Sequence, residues 1–68
     1  MFERIVFERI VFEADHRPSI YVRFDEEYPI PNLGDFVAIG ERLNHIEGKV
    51  VARTFRYDYK AIYIKLEA

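Results

Sequence analysis

The chain of 68 residues has no cysteine and no tryptophan, and only two histidines, three glycines and three prolines. Without cysteine there is neither a disulfide framework nor a thiolate zinc site. Two histidines fall short of a ligand set, so neither a structural metal nor a cofactor is expected. Hydroxyl nucleophiles are equally scarce: Ser19 and Thr54 are the only ones besides tyrosine. Both fall in predicted strands with no histidine beside them, so a nucleophile and its base have nothing to be built from. The chain is therefore not expected to be an enzyme. No apolar run approaches the ~20 residues of a membrane helix. Glu3, Arg4, Glu8 and Arg9 interrupt the region where a secretory signal would be apolar. A soluble, cytoplasmic protein without a membrane partner is the expectation.

What the chain does have is half its residues hydrophobic, with six Phe and five Tyr. That is enough for a folded core, and the length allows a single domain over residues 1–68. A core of this size supplies only ~3–5 kcal/mol, and small domains usually add disulfides, a metal or oligomerisation. With the first two absent, association into a dimer or higher homo-oligomer is expected.

The most informative stretch is residues 2–13, where Phe-Glu-Arg-Ile-Val is written twice and begun a third time. As a helix the unit spreads Phe2, Ile5, Val6, Phe7 and Ile10 in nearly all directions, so no apolar stripe forms. As a strand it alternates, but five is odd. Phe2, Arg4 and Val6 share one face while Phe7, Arg9 and Val11 share the other. Either a bulge between the copies restores the parity, or one copy fills the native strand and the other extends past the sheet or pairs with another chain. Residues 2–8 repeat residues 7–13, so a five-residue slip puts identical side chains in the same places. It thereby escapes the face-flipping penalty that normally fixes register. A copy this faithful reads as a recent or an engineered duplication.

Downstream, Asp15-His16-Arg17-Pro18 has turn chemistry. Ser19–Asp25 then alternates cleanly, with Ile20, Val22 and Phe24 on one face, and pairs with the repeat as a hairpin. Residues 25–34 form a loop, because Pro29 and Pro31 exclude both a helix and a central strand. Tyr28, Ile30 and Leu33 should pack it down over one end of the core. A third strand opens at Asp35–Ile39. Glu41–Glu47 reads either as one helical turn carrying Leu43 and Ile46, or as a strand reversing at Glu47-Gly48. Lys49–Tyr57 has mixed parity, expected where a strand bends to serve two faces. Asp58-Tyr59-Lys60 makes a tight turn, and Ala61–Glu67 alternates with Ile62, Ile64 and Leu66 inward.

The pattern predicts an all-β fold: five short strands in a strongly bent antiparallel sheet that closes into a small barrel and so disposes of its edges. Gly34-Asp35-Phe36-Val37 followed by Gly48-Lys49-Val50 resembles the spacing in SH3-like barrels of the KOW and Tudor kind. There a Gly-Asp-x-Val strand leads through a short hairpin to a Gly-Lys-Val strand. The likeness covers residues 33–57 and implies a fold; the family's aromatic cage and RNA-contacting residues have no counterparts here position by position.

Two functional surfaces stand out. The repeat is apolar, β-prone and carries matched charges, which suits strand addition to a neighbouring sheet through Phe2, Ile5, Val6, Phe7 and Ile10. The partner is a second copy of the chain or another protein. The alternative lies in the last hairpin, where Arg53, Phe55, Arg56, Tyr57, Tyr59, Lys60, Tyr63 and Lys65 interleave cations with rings, as in barrels that hold single-stranded nucleic acid. The net charge of -2 argues against it. Charge is also unevenly placed. Acidic groups dominate residues 1–48, whereas Lys49, Arg53, Arg56, Lys60 and Lys65 face only Asp58 in residues 49–66. The acidic front and basic rear should attract each other, within a chain or between chains. His16 beside Asp15, His45 near Glu47, and Asp25-Glu26-Glu27 read as solvated surface rather than as metal sites.

Overall fold

The computed structural model describes residues 7–23 and 30–67. Five strands form one sheet: β1 (Arg9–Ala14), β2 (Ile20–Arg23), β3 (Phe36–Glu41), β4 (Asn44–Arg56) and β5 (Ala61–Glu67). Their order is β2-β1-β5-β4-β3. Among the described residues there is no helix, and so none long and apolar enough to cross a membrane. The sheet curls until its outer strands nearly meet: a Cβ placed on Gly40 of β3 would lie 2.9 Å from Cδ1 of Ile20 in β2. The all-β, five-stranded, nearly closed barrel is as expected.

One pairing departs from the all-antiparallel expectation. β1 runs parallel to β5, with Ile10 opposite Ile62, Phe12 opposite Ile64 and Ala14 opposite Leu66. On its other side β1 pairs antiparallel with β2, Ile10 opposite Val22 and Phe12 opposite Ile20. β1 is thus a central strand, and one copy of the repeat fills it: residues 9–14, from the second copy onward. The first copy, residues 2–6, and any bulge between the copies lie outside the described residues.

Alternation explains the core. Ile10 and Phe12 of β1, Ile46 and Val50 of β4, and Ile62, Ile64 and Leu66 of β5 are buried together. Ile20, Val22, Ile30, Val37 and Ile39 pack around them. β4 supplies two faces of the barrel by a register shift between Val50 and Ala52. The extra residue, Val51, flips the parity. Ile46 and Val50 point inward before it, and Arg53 and Phe55 lie opposite Ile64 and Ile62 after it. This is the bend that the mixed parity of Lys49–Tyr57 implied.

Two local expectations need correction. The chain reverses at Arg42-Leu43, between β3 and β4, and not at Glu47-Gly48; nor is there a helical turn at Leu43, which is 100% exposed. Gly48 lies mid-strand because β5 passes too close for a side chain. A Cβ there would sit 2.7 Å from the carbonyl oxygen of Glu67. The loop before β3 packs down through Ile30, whereas Leu33 is 61% exposed and covers nothing. Tyr28, Phe24 and the Asp25-Glu26-Glu27 run lie outside the described residues.

Candidate functional site

The two words of the Gly-Asp and Gly-Lys-Val resemblance come together in the structure. Phe36 lies opposite Lys49 and Val37 opposite Gly48. The Val50 carbonyl accepts from the Gly34 amide at 2.9 Å, and the Val50 amide donates to the Asp35 carbonyl at 2.8 Å. Asp35 Oδ2 in turn accepts from the Asn32 amide at 2.9 Å, fixing the approach to β3.

The basic aromatic hairpin is the far end of β4 and β5. Its turn is closed by Lys60, whose φ of 53° lies in the left-handed region that ordinarily favours Gly or Asn. Asp58 organises the turn. Its carboxylate accepts from Arg56 Nε at 3.1 Å and Nη2 at 2.8 Å, and from the Tyr59 amide at 3.0 Å. The hydrogen bond from Arg56 holds the Asp58 carboxyl below its ordinary value, and Asp58 raises Arg56 by the same bond. The Arg56 guanidinium also lies over the Tyr59 ring, 4.8 Å from its centre.

Phe7 packs into this end of the barrel. Its ring lies 5.8 Å from Phe55 and 5.5 Å from Tyr57, both tilted. Arg53 stands 5.6 Å from the centre of Phe55 and donates to the Pro31 carbonyl at 3.3 Å. Phe7, Arg53, Phe55 and Tyr57 therefore form one cluster. Sequence reasoning placed Phe7 in the association surface and did not connect it to the hairpin, since 48 residues separate Phe7 from Phe55 and no local signal joins them.

The other hairpin residues point elsewhere. Ala52, Thr54 and Arg56 lie opposite Lys65, Tyr63 and Ala61, on the face of β4 and β5 away from Arg53 and Phe55. Tyr57 and Tyr59 are 60% and 57% exposed at the turn, so Tyr57 is not core. The cations are engaged by acids: Arg56 with Asp58, Lys60 with Glu8 at 3.8 Å, and Lys65 with Asp15 at 3.1 Å. The last two join the acidic front of the chain to its basic rear within one molecule. Such exposed pairs add little stability, but they lower the positive potential of the hairpin. The structure thus divides the proposed nucleic-acid residues between the aromatic cluster around Phe7, the turn and the opposite face of the hairpin.

Of the association residues, Phe2, Ile5 and Val6 lie outside the described residues. Phe7 is partly buried in the aromatic cluster, and Ile10 is a core residue at 1% exposure. Ile10 meets another molecule only if β1 itself is exchanged.

At the opposite end of the barrel an open depression of about 450 Å³ is lined by Ala14, Asp15, Arg17, His45, Glu47 and Glu67, with Ile46 and Leu66 at its floor. His45 Nε2 lies 3.3 Å from Glu47 Oε2. Among the described residues, no three acidic or histidine side chains gather closely enough to hold a metal ion. No family model matches the chain, and neither a curated protein nor a solved structure is similar to it.

Proposed function

We propose that this chain is a small non-enzymatic binding and assembly module that self-associates through its N-terminal strand. One observation carries the reading: a single copy of the duplicated word fills β1, and β1 is flanked on both sides by β2 and β5. Among the described residues the barrel has one place for this word, and the sequence supplies it twice. The surplus copy contributes Phe2, Ile5 and Val6, apolar residues suited to strand addition. In this reading the barrel belongs with SH3-like binding modules, supported by the paired Gly34-Asp35-Phe36-Val37 and Gly48-Lys49-Val50 segments. The test is the solution mass by light scattering, over a concentration series, of the full chain and of a variant lacking residues 2–6. A fall in association state on deletion supports the reading; equal masses end it.

A second reading, single-stranded nucleic acid on the last hairpin, keeps one observation in its favour: Tyr57 and Tyr59 are exposed beside Arg56 and Lys60. Replacing Arg53, Arg56 and Lys60 with Gln should then abolish salt-dependent oligonucleotide binding. Absence of binding by the parent chain at low salt ends this reading.

A further inference from the structure

The geometry points to β1 as a strand with two registers, displaced from one another by one pentad. In the second register residues 2–8 take the places of residues 7–13, and Arg9 enters the depression beside Leu66 in place of Ala14.

Every side chain from Phe7 to Glu13 has an identical substitute in this shift. Phe2 would replace Phe7 against Phe55 and Tyr57. Ile5 and Phe7 would replace Ile10 and Phe12 opposite Ile62 and Ile64. Glu8 would replace Glu13 opposite Lys65. The core is therefore conserved atom for atom up to the last position of the strand. There the exchange is Ala14 for Arg9, and the structure has room for it. Ala14 lines an open depression whose walls on β4 and β5 carry His45, Glu47 and Glu67; Asp15 and Arg17, which also line it, belong to the connection that shifts, so the guanidinium would find space and two carboxylates.

The losses are small and identifiable. The Asp15–Lys65 ion pair and the Arg17 amide bond to the Ala14 carbonyl belong to the present connection. That connection, Asp15–Ser19, doubles in length when a pentad joins it. Doubling a flexible loop lowers a population only about threefold. Register is ordinarily secured because a slip turns core residues outward, and here it does not. The shift needs no second molecule and stands whether or not the chain assembles.

Disulfide trapping tests this cleanly, because the chain has no cysteine of its own. Val11 lies directly opposite Tyr63, so Val11→Cys with Tyr63→Cys reports the described register. Val6 occupies that place only in the shifted register. In the described one, residue 6 adjoins Phe7, which is held at Phe55 and Tyr57, four residues or about 13 Å of strand from the level of Tyr63. No disulfide spans that distance. Oxidation of Val6→Cys with Tyr63→Cys at low protein concentration should give a crosslink within one chain, seen as a monomer-mass species. Adding Ile5→Asp, which buries a charge only in the shifted register, should abolish that crosslink. The same change should leave the Val11→Cys/Tyr63→Cys crosslink intact. No crosslink between positions 6 and 63, one only between chains, or one that survives Ile5→Asp would overturn the proposal.

Discussion

Phe7 rests against Tyr57 with ring centroids 5.5 Å apart, and this contact joins the two stretches that carry the chain's functional signals. The Glu8 amide donates to the Lys60 carbonyl at 2.7 Å immediately beside it. The repeat and the hairpin turn are thus one structural unit. Phe7→Ala removes both ring contacts. It should destabilise the fold by about 1–3 kcal/mol, since tilted ring pairs contribute about 0.5–1.5 kcal/mol beyond the area they bury. A slip cannot repair the loss, because the shifted register would place the new alanine where Phe12 sits in the core. Denaturant unfolding measures the change, and a variant as stable as the parent would show that the ring cluster contributes nothing.

Gly48→Ala should destabilise the protein by about 1–3 kcal/mol, the usual result of forcing atoms into a packed site. The added methyl meets the backbone of Glu67 rather than a flexible side chain, so β5 would have to move. The readout is the unfolding midpoint, with loss of amide protection concentrated at the end of β5. An unchanged midpoint would mean that the close approach of the two strands is unnecessary.

The Arg56–Asp58 pair predicts an acid-side titration. Asp58 is held below its ordinary value of 3.8, chiefly by the hydrogen bond from Arg56. A carboxyl depressed in the folded state stabilises it above the unfolded value, and that contribution fades as pH falls through the lower folded value. The Asp58 carboxyl resonance should therefore titrate with a midpoint below 3.8. Arg56→Gln should move it upward. A midpoint that Arg56→Gln leaves in place would show that the pair does not form in solution. Because the pair is exposed, high salt should also shrink the shift.

How much of this was legible in the sequence depends on the distance over which each feature is decided. β5 was readable residue by residue, because Ile62, Ile64 and Leu66 alternate without a break. The bend in β4 was readable too: its parity changes at Val51, where the register shifts. The β3–β4 turn was misplaced because Gly40 and Gly48 both look like punctuation. Only the passage of Glu67 across Gly48 reveals that the second glycine answers to a neighbouring strand. The parallel course of β1 beside β5 has no local signature at all, since its partners, such as Ile10 and Ile62, lie at opposite ends of the chain. At the candidate site the interleaving of rings and cations was visible. Their division between two faces was not, because the Val51 bulge puts Arg53 and Phe55 on the face of Ile64 and Ile62 while Arg56 and Tyr63 lie on the other.

The central claim is that one place in the barrel can be filled by either copy of one word. The most direct measurement is a double-mutant cycle on Ile5 and Ile10, with Ile64→Ala as reference. Truncating a buried isoleucine costs about 2–5 kcal/mol. Ile64 has no substitute and should show the full effect. Ile10→Ala should cost less by ~1 kcal/mol or more, because the shifted register brings Ile5 into the vacated place. Ile5→Ala alone should change little, and the double variant should lose as much as Ile64→Ala. Additive effects, with Ile10→Ala already at full cost, would contradict the account.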